Sequence, residues 1–251
     1  MKQLFDPSKP HLAICVWIHD PAVPILERMK RNKMPLPLPR TSLHYAAFWG
    51  LQPVVEFLII EHSQDVCSRD PTDNSTPLHL ASRKGHVKVA CKLIEHGADA
   101  TAQNKCGETP LHLASRMGQL DVVRLLIERG ADLTVRDKDQ WTPLHLASQI
   151  GQVEVVRMLI KHRADLTAQI NVGWTPLHLA SQKGHVEIAR MLIENGADLT
   201  AQINGGITSL HLALQWGQVE VARMLIECGA DLTARNMDGR TPLHLASLWD
   251  Q

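Results

Sequence analysis

The tetrapeptide Thr-x-Leu-His occurs seven times in this chain, starting at Thr41, Thr76, Thr109, Thr142, Thr175, Thr208 and Thr241. The first step is 35 residues and each of the next five is 33. A period of this length marks one supersecondary unit repeated along the chain. The longer first step places an insertion near Asp70–Asn74. A unit this small cannot bury its own apolar face, so its neighbours must stack on it.

One unit, Asn104–Arg136, shows what repeats. Thr109 is placed to cap a helix with its hydroxyl. Pro110 suits the first helical position, where its missing N–H costs nothing. Leu111, Leu113 and Ala114 form an apolar face, and Gly118 ends the helix. Asp121 is favourable near the positive end of a second helix. Val122, Val123, Leu125, Leu126 and Ile127 give that helix a broad apolar stripe. Gly130 stops it, and Ala131–Thr134 leads into an extended turn. The unit reads as helix, turn, helix, hairpin.

The chain is 44% hydrophobic but only 4% aromatic, which fits a continuous core of small and branched aliphatic side chains. Lys+Arg and Asp+Glu both number 26. A neutral chain lacks the field that drives non-specific nucleic-acid binding, so no nucleic-acid partner is expected. Leu12–Ile18 is too short to span a bilayer. Phe5-Asp6-Pro7 and His11 break up any signal peptide, and no membrane partner is expected. The five cysteines (Cys15, Cys67, Cys91, Cys106 and Cys228) include no Cys-x-x-Cys pair. Thiols rather than disulfides fit a reducing, cytoplasmic setting. Cys91 and Cys228 are expected to behave as small hydrophobes.

The pattern resembles the ankyrin repeat, whose hallmark is Thr-Pro-Leu-His-x-Ala. The resemblance runs from about Leu38 to Gln251. It implies an all-α fold: one right-curving, monomeric α-solenoid of stacked helix-turn-helix units with short β-hairpins. Residues 38–251 hold six complete units and a truncated seventh that stops at Leu248-Trp249-Asp250-Gln251. Residues 1–37 do not repeat. Leu12–Ile18, a short helix over Ala22–Arg31 and a stiff Met34–Pro39 linker read as a cap on the first repeat. Some positions depart from the pattern. Ser63 and Arg163 replace the glycine after the second helix, and Asn74 and Gln140 replace the hairpin glycine. A positive φ at Arg163 implies strain of roughly 1 kcal/mol.

Leu4-Phe5-Asp6-Pro7 and Cys15-Val16-Trp17-Ile18 also resemble the junction that precedes ankyrin arrays in fungal NACHT-type NTPase receptors. That resemblance implies the sensor arm of a larger protein, or a gene that lost its NTPase. The chain has no Gly-x-x-x-x-Gly-Lys-[Ser/Thr] loop, so nucleotide hydrolysis is not expected.

Seven of the fourteen histidines are the repeat histidine, expected to bond near its own threonine and tie neighbouring loops together. Histidines one repeat apart lie about 10 Å from each other, too far to share a zinc. Glu154, Glu187 and Glu220 precede Arg157, Arg190 and Arg223 by three residues and read as solvated ion pairs. There is no Gly-x-Ser-x-Gly elbow. No catalytic residue, cofactor or metal is expected.

Positions that vary between otherwise uniform repeats are the candidates for recognising another protein. The residue before the repeat threonine runs Ser75, Glu108, Trp141, Trp174, Ile207, Arg240. The resemblance turns this row toward the concave groove. The end of the first helix runs Trp49, Lys84, Met117, Ile150, Lys183, Trp216, Trp249. A third row is Phe48, Arg83, Arg116, Gln149, Gln182, Gln215, Leu248. At the hairpin tips Ile170, Val172 and Ile203 are apolar where other units have Asn104, Asp137 and Asn236. The partner site is therefore expected at Trp141, Trp174, Ile207, Ile150, Trp216, Met117, Ile170, Val172 and Ile203. Central aromatics of this kind carry binding energy. Two alternatives stay open. Trp141 and Trp174 could pack on their own hairpins. Arg83, Lys84 and Arg116 could be a solvated face or a contact for an acidic partner. A third class of function, small-molecule binding in the groove, rests only on the apolar rows.

Overall fold

The computed structural model describes residues 41–61, 63 and 65–247. The expectations for residues 1–37, for the Met34–Pro39 linker and for Leu248–Gln251 with Trp249 lie outside them. The described residues fall into two compact units that divide between Pro110 and Leu111.

The first unit contains α1 (Ser42–Trp49), α2 (Gln52–Ile60), α3 (Pro77–Lys84) and α4 (Val87–Glu95). Helix α5 (Pro110–Arg116) begins at the division. The second unit continues with α6 (Leu120–Glu128), α7 (Pro143–Ile150), α8 (Val153–Lys161), α9 (Pro176–Lys183), α10 (Val186–Glu194), α11 (Ser209–Gln215), α12 (Val219–Glu227) and α13 (Pro242–Ala246). No strand occurs among the described residues. One isolated antiparallel bridge pairs Ile203 with Ile207. The fold is all-α, with first helices packed on first helices and second on second. Examples are α7 on α9 and α8 on α10. Leucines at matching positions, among them Leu126, Leu144, Leu159, Leu177, Leu192 and Leu210, are fully buried between repeats. Burying each contributes roughly 2 kcal/mol.

Threonine and histidine start each first helix together. At α7, Thr142 Oγ1 accepts the His145 N–H at 3.4 Å. The Thr142 N–H donates to His145 Nδ1 at 3.4 Å, and its hydroxyl lies 2.7 Å from the same nitrogen. This satisfies two of the amides that a helix start leaves orphaned. His145 Nε2 faces the Ala168 and Trp174 carbonyls at 3.0 and 3.3 Å. His178 reaches Ala201 O at 3.1 Å and His44 reaches Ser75 O at 3.0 Å. With Nδ1 accepting and Nε2 facing carbonyls, the ring is the neutral Nε2–H tautomer. Burial pushes His79, His145 and His178 down from 6.5 to about 4. Each ring thus caps its own helix and fastens a neighbouring loop, as the spacing implied.

The turn after a first helix needs glycine for two reasons. Gly151 has φ 93°, and a Cβ there would lie 2.7 Å from the His185 ring. That ring leans over the turn so that Nε2 reaches Gln149 O at 3.2 Å. Second helices end on a left-handed residue. Its N–H and the following N–H bond back to the helix, as with Arg163 to Ile160 O and Ala164 to Leu159 O. Arg163 (φ 63°), Ser63 (46°), Asn74 (61°) and Gln140 (68°) all hold the left-handed backbone of the glycines they replace.

Three sequence readings change. Cys228 is exposed rather than a small core residue, and Cys91 is half-buried with its thiol 3.3 Å from Glu95 Oε1. Arg157 does pair with Glu154 at 3.6 Å, but its shorter bond, 2.8 Å, crosses to Glu187 on the next repeat. All three side chains are exposed, so the cross-link is worth under about 1 kcal/mol. Finally, Val172 also has a positive φ of 62°, which its sequence position gave no reason to expect.

Candidate functional site

The hairpin tips are of two kinds, and the difference lies in one residue. At four tips an Asn or Asp side chain builds the turn, and in the first of them Asp70 Oδ1 accepts the Thr72 N–H at 2.8 Å. Asn104 Oδ1 accepts the Cys106 and Glu108 N–H groups at 2.9 and 3.0 Å. Asp137 Oδ1 accepts those of Asp139 and Trp141 at 2.9 and 2.8 Å. Asn236 Oδ1 accepts those of Asp238 and Arg240 at 3.0 and 2.8 Å. Such local side-chain bonds are why these residue types favour turns.

Ile170 and Ile203 occupy the same place in the two tips between. The backbone closure survives: Ile170 N–H donates to Trp174 O and Ile203 N–H to Ile207 O, both at 2.9 Å. The side-chain acceptor is gone. No side chain among the described residues accepts the N–H groups of Val172, Trp174, Gly205 and Ile207. The turn also changes its backbone. Val172 and Gly205 have φ 62° and 91°, whereas Cys106, Asp139 and Asp238 at the equivalent place do not go positive. Glycine takes this conformation without strain, but valine does not.

The candidate residues of the second unit sit on this framework. Val172 is 52% exposed, and Ile170, Ile203 and Ile207 are half-buried. Trp141 and Trp174 are half-buried and edge-on to the repeat histidines. Their ring centroids lie 6.1 Å from His145 and 6.3 Å from His178. Each tryptophan is therefore held in place by its own repeat and still presents part of its indole to solvent. At the ends of first helices Met117, Ile150 and Trp216 are 47%, 49% and 54% exposed. The charged members of these rows in the second unit, Arg116, Lys183 and Arg240, are all basic.

The first unit differs from expectation. Ser75 and Glu108 are buried, so the row before the repeat threonine is not open there. The Glu108 carboxylate accepts from Asn104 Nδ2 at 3.0 Å. Arg83 and Lys84 are exposed at the end of α3. Lys84 Nζ sits 4.5 Å above the Phe48 ring, a cation–π contact that ties it to the preceding repeat. Trp49 lies edge-on to Phe48 at 5.1 Å.

Among the described residues no group of three His, Cys, Asp or Glu side chains is placed to hold a metal ion. No helix among them is long and apolar enough to cross a membrane. A cleft of about 280 Å³ opens between Gly184–Val186 and Gly217–Val221. None of the candidate residues lines it.

Helix-turn-helix units of this period, with repeat histidines bonded to the loops that follow them, define a stacked-repeat architecture. The family model for ankyrin repeats in three copies matches residues 43–137, 132–203, 171–236 and 202–251, and the chain belongs to that family. The ankyrin repeat domain of human ASB11 is similar, with 31% identity and a TM-score of 0.75 over 82% of this chain and 92% of that one. The ankyrin repeat domain of Bcl-3, a member of the IkappaB protein family, is 30% identical with a TM-score of 0.73, over 82% of this chain and 94% of that one. Inhibitor of Bruton tyrosine kinase from Xenopus laevis is 36% identical over 68 residues. That stretch is 27% of this chain and 5% of that protein's length. Ankyrin repeats are in general protein–protein interaction modules without catalytic activity.

Proposed function

We propose that this chain is a non-catalytic module that holds a partner protein on the hairpin tips and first-helix ends of its second unit. The contact residues are Trp141, Trp174, Ile207, Ile150, Trp216, Met117, Ile170, Val172 and Ile203. One observation carries the reading. Ile170 and Ile203 stand where Asn or Asp builds the turn in other units, at the expense of side-chain bonds to backbone amides. The exchange gives up those bonds and leaves the isoleucines only half-buried, whereas a recognition surface gains apolar contact area. The charged residues of the rows, Arg116, Lys183 and Arg240, are basic, which favours a partner segment with apolar anchors and acidic flanks. Arg83 and Lys84, exposed on the first unit, are taken separately as a contact for an acidic partner.

The module works as a monomer inside the cell. The exposed thiols of Cys67, Cys106 and Cys228 support a reducing setting. The test is affinity capture from the source organism with the native chain and with Trp141→Ala/Trp174→Ala. The native chain captures a partner that the double variant loses, while helical circular dichroism is unchanged. Equal capture by both would remove the site.

The runs Leu4–Pro7 and Cys15–Ile18 support a second reading, the sensor arm of a NACHT-type receptor. A phosphate-binding loop encoded upstream in the full-length gene would favour it. Small-molecule binding would have to use the cleft at Gly184–Val221 or the apolar rows, and a thermal-shift screen against metabolites addresses it.

A further inference from the structure

The tips that lost their Asn or Asp turn-builder carry an asparagine one residue further on, at Asn171 and Asn204. We propose that Asn204 is a self-modifying site, where the chain converts its own amide to an acid and kinks its own backbone. The chemistry needs only water. The Gly205 backbone nitrogen attacks Asn204 Cγ. As that bond forms, the bond from Cγ to the side-chain nitrogen breaks, and this nitrogen leaves with the Gly205 proton as ammonia. Water then opens the resulting five-membered succinimide at either carbonyl. One opening gives aspartate. The other gives isoaspartate, in which the main chain runs through the side-chain carbon. No oxidant, metal or enzyme enters the balance.

Three conditions favour this step, and Asn204 is the described asparagine that meets them all. The residue is exposed. It is followed by glycine, which has no side chain to shield the attacking nitrogen. And the Gly205 N–H donates to no protein acceptor among the described residues. Asn195 also precedes a glycine but is locked: its Nδ2 donates to Met191 O at 2.7 Å and the Gly196 N–H to Ile193 O at 3.0 Å. The nitrogens after Asn74, Asn104 and Asn236 are likewise engaged, with Asp73 Oδ1, Asp73 O and Gly205 O. Asn171 precedes Val172, whose branched Cβ crowds the nitrogen.

The position gives the conversion an effect. The Asn204 N–H donates to Val172 O at 2.8 Å, and Gly205 O accepts from Met237 N–H at 2.8 Å. This short stretch therefore stitches one tip to both neighbours. Isoaspartate inserts an extra backbone carbon between the two stitches, so both cannot keep their register. Either product also puts a carboxylate beside Ile203 and Ile207. The loss of partner binding that should follow rests on the tip contact proposed above, whereas the conversion itself does not.

The purified full chain is aged in mildly alkaline buffer made with heavy-oxygen water and mapped by peptide mass spectrometry. Isoaspartate is read separately by enzymatic methyl labelling. Attack at Asn195 must first open two hydrogen bonds of ordinary net strength, so Asn204 is expected to convert roughly thirtyfold faster. Asn204→Gln should remove the methyl label and Asn195→Gln should leave it. Equal rates at the two sites, no conversion at either, or a label that survives Asn204→Gln would each overturn the proposal.

Discussion

Val172 offers the sharpest test of how the tips are built. Its backbone sits at φ 62° and ψ 17°. For an L-residue this left-handed conformation costs roughly 1–2 kcal/mol, and a β-branched side chain is among the least suited to it. Val172→Gly removes that strain. The side chain is 52% exposed, so little burial is lost with it. Glycine gives back roughly 0.5–1 kcal/mol through the greater freedom of the unfolded chain. The net expectation is a stabilisation of about 0.5–1 kcal/mol. In a chain of this size that is a rise in melting temperature of roughly 1–4 °C. A repeat array opens piecemeal, so local measurement is the better assay. The Asn204 amide, which donates to Val172 O, should exchange its hydrogen about two- to fivefold more slowly in the variant. Arg163→Gly is the control: the same strain at φ 63°, at the end of a second helix and outside the proposed contact. Both variants should stabilise, but only Val172→Gly should weaken partner binding. If Arg163→Gly stabilises and Val172→Gly does not, valine is not strained at the tip and the case for a functional apolar residue there falls.

Acid should loosen the array through the repeat histidines. His79, His145 and His178 are held neutral, pushed by burial from 6.5 to about 4, and His211 is lowered in the same direction. Between these values the unfolded chain binds more protons than the folded one. Stability is therefore full above pH 6.5 and lost as pH falls toward 4, by up to about 3 kcal/mol per ring. Urea titrations across that window should show it, and a flat profile would contradict the neutral, bonded rings. Gly151→Ala should destabilise by roughly 1–3 kcal/mol, since its Cβ meets the His185 ring at a positive φ. Chemical denaturation reads this directly, and a neutral result would mean that the ring moves aside freely.

The period made most of the fold legible. Threonine and proline at the helix start, histidine three residues after the threonine, and glycine beyond each helix are local chemistry, so the elements and their order could be read from residue types alone. The role of the histidine was legible for the same reason: one partner is its own threonine and the other recurs a fixed distance along the chain. The candidate residues could be found as exceptions to the pattern, but their exposure could not. Exposure depends on what neighbouring repeats place beside a side chain. Glu108 and Trp141 hold the same place in successive repeats. Yet Glu108 is buried against Asn104, while Trp141 stands edge-on to His145 and half open.

The sequence by itself determined the repeat, the helices, their caps and the family, because each follows from bonds a residue makes within its own unit or one period away. Only the tertiary structure decided which variable positions are open, that Arg157 reaches across to Glu187, and that Ile170 and Ile203 force a different turn with Val172 under strain. Those outcomes come from the fit of one unit against the next, and residue spacing carries no record of that fit.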